Sequence, residues 1–201
     1  MKCILVRHGQ TDWNSSRMTQ GQSDTPLNET GILQAKRVAR ALENENINKC
    51  YYSPLKRAKA TAEEIINYLN IVSEEDKSLI EFNFGLWEGR TLEEISIQYK
   101  DEFYNWMYAP QNLTIPEGEE MKNALNRARA FSEKRIMHSQ ENILIVSHGL
   151  LIKILIISIL GLELKDLQKF RVDNASISVI EIRGERRYLS RLNDTYHLEK
   201  I

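Results

Sequence analysis

The chain has 201 residues, and its 27 Lys and Arg nearly cancel its 28 Asp and Glu, leaving a formal charge of −1. With 42% hydrophobic and 27% charged residues it has an ordinary globular composition, long enough to bury a core without disulfide or metal staples. The charge balance argues against broad nucleic-acid binding, which needs a basic face, but leaves room for a small positive pocket.

Residues 2–6 predict a buried strand, entered directly from Met1-Lys2 without the apolar stretch and cleavage site of a signal peptide. A polar loop over 10–28 leads to a helix at 29–45, with Ile32, Ala35, Val38, Ala39 and Leu42 on one face. A second short strand is expected at 49–52. Cys3 and Cys50 fall in these two apolar runs and read as small buried residues, not as a disulfide or redox pair. Ser53-Pro54 predicts a helix start, with Ser53 capping and Pro54 at the first helical position. That helix turns Leu55, Ala58, Ala62, Ile65, Ile66 and Leu69 inward. A third strand is expected at 77–80, then helices at 91–106 and 119–138 on either side of a loop with Pro110, Pro116 and Gly118.

The continuous apolar run 142–146 predicts a buried parallel strand. Ser147-His148-Gly149 then leads into a helix ending near Leu160. The stretch 143–160 has the length of a membrane span, but Ser147, His148, Gly149 and Lys153 would be expensive in hydrocarbon, so a core helix is expected instead. A short helix at 163–168 and two β-rich runs, 175–182 and 186–191, close the chain. Strands alternating with helices predict a three-layer α/β/α sandwich with a mostly parallel central sheet and an antiparallel edge. No repeat or linker interrupts it, so residues 1–201 read as one domain, placed in the cytoplasm with no membrane partner.

Two strand ends repeat one theme. Arg7-His8-Gly9 follows the first strand and Ser147-His148-Gly149 the later one, each with a glycine beside the histidine to let backbone approach a ligand. Ligands of open α/β sheets bind outside those carboxyl ends, so if the two strands are neighbours both histidines and Arg7 face one crevice. Arg57 falls in the first turn of the helix after the second strand, where a cation opposes the helix dipole. It is either a solvated surface arginine or a sign of a bound anion. Glu81, flanked by Ile80 and Phe82, is either solvated or partly buried, and burial favours the protonated, proton-donating form of a carboxyl group. His138 and His197 read as solvated bystanders.

Taken with their surroundings, these residues resemble the histidine phosphatases, the phosphoglycerate mutase-like superfamily. The resemblance runs through Arg7-His8-Gly9-Gln10-Thr11-Asp12-Trp13-Asn14, Gln20-Gly21, Ser53-Pro54-Leu55-Lys56-Arg57-Ala58, Glu81 with Phe84-Gly85-Leu86-Trp87-Glu88-Gly89, and Val146-Ser147-His148-Gly149. It implies that His8 is a nucleophile that accepts the phosphoryl group. It places Arg7, Arg57 and His148 around the phosphoryl oxygens, with Asn14, Gln20, Gly21 and Gly149 as further phosphate or substrate contacts. Glu81 becomes the general acid and base. The resemblance implies no metal and no cofactor, a small phosphorylated metabolite as partner, and a monomer or homodimer.

The form of the 84–89 segment and the short chain favour phosphatases, similar to α-ribazole and broad-specificity phosphatases, over the cofactor-dependent mutases. Two rivals remain: a catalytically silent phosphate- or phosphopeptide-binding module, and a zinc or iron site built from His8, His148 and Glu81, which Arg7 and Arg57 disfavour. Gln10, Met18-Thr19 and Glu120 depart from the family pattern. The aromatic segment around Trp106 and Tyr108, within 100–118, reads either as a lid wall that sets specificity or as packing beneath a loop.

Overall fold

The computed structural model describes residues 1–199. Among these residues six strands form one mixed sheet in the order β3-β2-β4-β1-β5-β6. They are β1 (Lys2–Arg7), β2 (Lys49–Tyr52), β3 (Val72–Glu75), β4 (Ile143–Ser147), β5 (Ile177–Arg183) and β6 (Arg186–Asp194). The first four are mutually parallel, and β5 and β6 add the antiparallel edge. Among the described residues seven α-helices accompany the sheet: α1 (Asp12–Ser15), α2 (Glu29–Ala41), α3 (Lys56–Leu69), α4 (Leu92–Gln98), α5 (Lys100–Tyr108), α6 (Met121–Arg135) and α7 (Gly149–Leu160).

Alternation along the strands produces the three layers, because successive side chains point to opposite faces. Ile4, Val6, Cys50, Leu144 and Val146 pack with Val38, Ala39, Ala62 and Ile65 from α2 and α3. Cys3, Leu5, Tyr51, Ile143 and Ile145 face the other way, onto α6, α7 and the aromatic residues between α3 and α6. Helix α7 is apolar nearly all round, as a helix enclosed on several sides must be, with Leu151, Ile152, Ile154, Leu155, Ile156 and Ile157 at 0% exposure. Among the described residues no helix is long and apolar enough to cross a membrane.

Four expectations change. The third strand is Val72–Glu75, not 77–80, where a single 3-10 turn buries Leu79 instead. As an edge strand its solvated faces carry Ser and Glu, and an edge bearing charge looks like loop in the sequence. The helix expected at 91–106 breaks at Tyr99, whose φ of −128° and ψ of 57° leave the helical region. The break lets Tyr99 and Trp106 both reach the Trp87 ring, at centroid distances of 6.3 Å. Helix α2 ends at Ala41 and turns Ile32 outward, 40% exposed, because Gly31 takes the inward position against the Gly9-Gln10 backbone. Helix α3 begins at Lys56, so Pro54 precedes it, and Ser53 does not cap it. The cap comes from 32 residues away, where Asp24 Oδ1 accepts the Lys56 N–H at 2.7 Å.

Candidate active site

The parallel register of β1 and β4 sets Arg7 opposite Ser147, so the chain leaves both strands side by side. The His8 and His148 rings meet edge to face with centroids 5.2 Å apart. His8 lines a crevice of about 320 Å³ together with Arg7, Asn14, Gln20, Gly21, Arg57, Glu81 and Gly149, and the wholly buried His148 ring packs against that of His8. The structure thus gathers residues from six separate stretches of chain at one end of the sheet.

His8 is 2% exposed, and its tautomer follows from its partners. Nδ1 lies 2.7 Å from the Gly9 carbonyl, which can only accept, so Nδ1 carries the proton. Nε2 then holds the lone pair and accepts from Arg57 Nε–H at 3.2 Å. Burial, then Arg57 and Arg7, hold the ring well below the usual histidine pKa, against a smaller opposing effect of the Gly9 bond. A neutral imidazole with its lone pair facing the crevice is the state a nucleophile requires.

Arg57 is wholly buried, which removes the surface reading. Its Nη atoms donate to the carbonyls of Gly21 (2.6 Å) and Ser23 (2.8 Å), so the guanidinium is fixed before any ligand arrives. Burial lowers its pKa to about 10, which leaves it charged at neutral pH. Arg7 donates to the Val172 carbonyl at 2.7 Å, while its buried Nε makes no hydrogen bond among the described residues. Burial lowers the Arg7 pKa as well.

His148 is held through Ser53, whose Oγ lies 2.7 Å from Nε2. Ser53 Oγ also accepts the Leu55 N–H at 3.3 Å, so its single proton is free to go to the imidazole. The buried Nδ1 then carries the ring proton and has no partner among the described residues. Burial first, then Arg57, His8 and Arg7, keep this ring neutral too. This role for Ser53 replaces the helix cap expected from the sequence.

Glu81 is 7% exposed, yet its apolar neighbours do not leave it bare. Oε1 accepts from the Phe82 and Leu151 amides (2.8 and 3.1 Å) and Oε2 from Leu150 (3.2 Å), so the start of α7 anchors the carboxyl group. The turn before it is clamped by Arg127, which donates to the carbonyls of Ser78 and Ile80 and is itself held by Glu119. Among the described residues no group of three or more His, Cys, Asp or Glu is placed to hold a metal ion.

The glycines after the two histidines differ in their surroundings. A Cβ on Gly9 would lie 2.4 Å from the Gly31 carbonyl oxygen, so Gly9 lets the loop close onto α2. A Cβ on Gly149 would come no nearer than 3.4 Å to the Arg7 guanidinium, an ordinary contact, and Gly149 lines the crevice.

Gln20 accepts from the Thr25 hydroxyl at 2.6 Å, and Asn14 closes a capping box with Thr11 while lining the crevice. Trp106 reaches the crevice, packed edge to face on Phe84 at 5.6 Å. Tyr108 does not: it is 71% exposed and pairs with Tyr104 away from the opening. Met18 lines the crevice, Gln10 instead ties its loop to α2, and Glu120 occupies the N-cap of α6 without a side-chain bond. His138 is exposed, but His197 is half-buried, with Nε2 3.0 Å from the Ala175 carbonyl.

Several residues escape a reading of the sequence. Thr61 accepts the Gly9 N–H at 3.0 Å and donates to the Arg57 carbonyl at 2.7 Å, tying the candidate nucleophile to α3. Glu88 gathers the amides of Gln22 and Ser23 and so shapes the loop that holds Arg57. Asn174 donates to the His8 carbonyl and to Asn14. Lys153 lines the crevice one turn into α7, and a lone lysine in an apolar helix was the signal available for it.

Together the sheet topology and the crevice define an α/β protein in which Arg7 and Arg57 are gathered around a neutral histidine. A family model, the histidine phosphatase superfamily (branch 1), matches residues 3–195, and the chain belongs to that superfamily. Among known proteins it is similar to phosphoserine phosphatase 1 of Hydrogenobacter thermophilus, 35% identical over 98% of this chain and 94% of the other. It is also similar to a Yersinia pestis protein named "Probable phosphoglycerate mutase GpmB", 32% identical over 90% of this chain and 85% of the other. The crystal structure of the α-ribazole phosphatase from Shigella flexneri superposes with a TM-score of 0.84 at 29% identity, covering 96% of each chain. The chain thus has the phosphoglycerate mutase-like α/β fold of that solved structure.

Proposed function

We propose that this protein, a histidine phosphatase, hydrolyses small phosphomonoesters through a covalent phosphohistidine on His8 Nε2. The observation that carries the reading is the His8 tautomer: Nδ1–H is spent on Gly9, and the Nε2 lone pair stands at the Arg57 guanidinium. Arg7, Arg57, His148 Nδ1–H and the Gly149 N–H surround the phosphoryl oxygens, with Asn14, Gln20 and Gly21 around them. These donors are fixed before the reaction, and such preorganised charge is the main source of catalysis in phosphoryl transfer.

In the first step Nε2 attacks phosphorus, the ester P–O bond breaks, and Glu81 gives its proton to the departing oxygen. In the second, Glu81 takes a proton from water, whose oxygen displaces His8 and releases phosphate. Both steps are balanced by protein, ester and water alone. The 1–201 chain acts as one domain, and the 100–118 segment bounds the substrate's body through Trp106. Phosphoserine and α-ribazole phosphate are the substrates to test first, given the two phosphatases that this chain resembles. The likeness to the Yersinia protein supports mutase action as the second reading, to be tested with phosphoglycerates and bisphosphoglycerate.

The deciding experiment uses p-nitrophenyl phosphate. Turnover insensitive to chelator, with an acid-labile phosphoenzyme that disappears in His8→Ala, is the expected result. Turnover that survives in His8→Ala, or that depends on added metal, overturns it. A wild-type protein that binds phosphate without any turnover would be the silent binding module.

A further inference from the structure

The crevice has a second cationic position that the chemistry at His8 does not use. Lys153 lies four residues after Gly149 on α7, about 6 Å further along the helix axis, and both residues face the same opening. It is a cation within a helix that is otherwise almost wholly apolar. Burying a lysine is costly unless it is paired. Yet among the described residues Lys153 makes no salt bridge, and its one hydrogen bond is a long contact of 3.4 Å to the neutral Gln168 Oε1. Burial and then the nearby Arg7 lower its pKa, and the smaller opposing effect of Glu81, which it does not contact in an ion pair, does not offset them.

The neighbours narrow what counterion it would take. Arg171, at the same opening, is mostly exposed and turned toward Asp173, its Nε 2.9 Å from each carboxylate oxygen. The remaining wall near Lys153 is apolar: Phe84, Trp106, Leu150 and Phe170. An ammonium is a compact point charge with rotatable donors, matched to a single carboxylate, whereas a second phosphate group is better served by guanidinium forks. Low-dielectric walls strengthen such a contact and offer an incoming anion no competing partner.

We infer that Lys153 is the specificity-determining residue of this crevice and binds a carboxylate on the substrate, at the end away from the phosphate held by His8. The substrate class is therefore a small phosphorylated carboxylic acid. The inference rests on the proposed phosphatase reading, and its test is separable from that reading.

The test compares O-phosphoserine with O-phosphoethanolamine, which is the same ester without the carboxylate. In the wild type kcat/KM for phosphoserine should exceed that for phosphoethanolamine by about tenfold or more, about 1.4 kcal/mol. Lys153→Met should collapse that ratio at least tenfold, chiefly through KM for phosphoserine, and Lys153→Arg should restore part of it. The ratio is taken on one preparation, so a partly folded variant lowers both numerator and denominator and leaves it unchanged. A wild-type ratio near one, or a ratio that Lys153→Met does not move, overturns the Lys153 inference while phosphohistidine formation on His8 stands. Absence of phosphohistidine in the wild type overturns the underlying reading instead.

Discussion

Lowering the pH from 6.5 to 5.5 should destabilise the folded protein by about 2 kcal/mol through His8 and His148 alone. Both rings are enclosed, at 2% and 0% exposure, and burial together with Arg57 and Arg7 holds both well below 6.5. As pH falls through 6.5 the unfolded chain takes up a proton on each ring and the folded chain does not. Stability from this source is therefore complete above the unfolded pKa and is lost below it. The cost is about 1 kcal/mol per ring over that unit. Half-buried His197 adds a smaller loss of the same sign.

Carboxylates do not blur the window, because the unperturbed values of 4.5 and 3.8 for groups such as Glu74 and Asp173 lie below it and both are lowered further. The assay is urea unfolding at pH 7.5, 6.5 and 5.5 without phosphate, since a bound anion would favour the charged rings. His8→Asn and His148→Asn should each remove about half of the pH-dependent loss. Their absolute stabilities will shift as well, so the comparison is of slopes. A wild-type slope that both variants retain would refute the reasoning.

Arg57→Lys keeps the charge but loses the fork that holds the Gly21 and Ser23 carbonyls and faces His8 Nε2, so kcat should fall about 10²- to 10³-fold with a smaller change in KM. Steady-state kinetics on p-nitrophenyl phosphate check this, and a change confined to KM would contradict it. Glu81→Gln should depress hydrolysis of alkyl phosphates far more than that of p-nitrophenyl phosphate, whose leaving group scarcely needs a proton. Equal losses on both substrates would remove Glu81 from the acid role. Trp106→Ala should redistribute relative kcat/KM across a panel of phosphomonoesters, while Tyr108→Ala, exposed and off the crevice, should leave the pattern unchanged. The reverse pattern would show that the wall has been misplaced.

Legibility in the sequence followed the strength of local signals. The buried run of β4 and the repeated histidine at two strand ends pointed to a crevice, and the family motifs named its main residues. Where signals conflicted, tertiary structure prevailed. The third strand, expected at 77–80, lies at Val72–Glu75, where an exposed edge carries Ser and Glu in place of an apolar run. The break at Tyr99 had no Gly or Pro to announce it, since aromatic packing around Trp87 produces it. Ser53 looked like a helix cap, a role the local sequence permits, but Asp24 took that role and freed the hydroxyl for His148. Tyr108 and Trp106 are two residues apart on a helix, and two residues on a helix do not share a face.

The sequence by itself determined which chemical groups this protein has at its strand ends, and that its charge balance conceals a local concentration of cations. Only the tertiary structure decided their protonation and reach. The register of β1 against β4 brings two histidines together, and burial beside Arg7 and Arg57 keeps both neutral. The backbone of Gly9 and the hydroxyl of Ser53 each take one ring nitrogen, leaving His8 Nε2 at the Arg57 guanidinium and His148 Nδ1 buried without a partner among the described residues. Those outcomes depend on distances between residues far apart in the chain, and a linear pattern of side chains carries no distances until packing closes them.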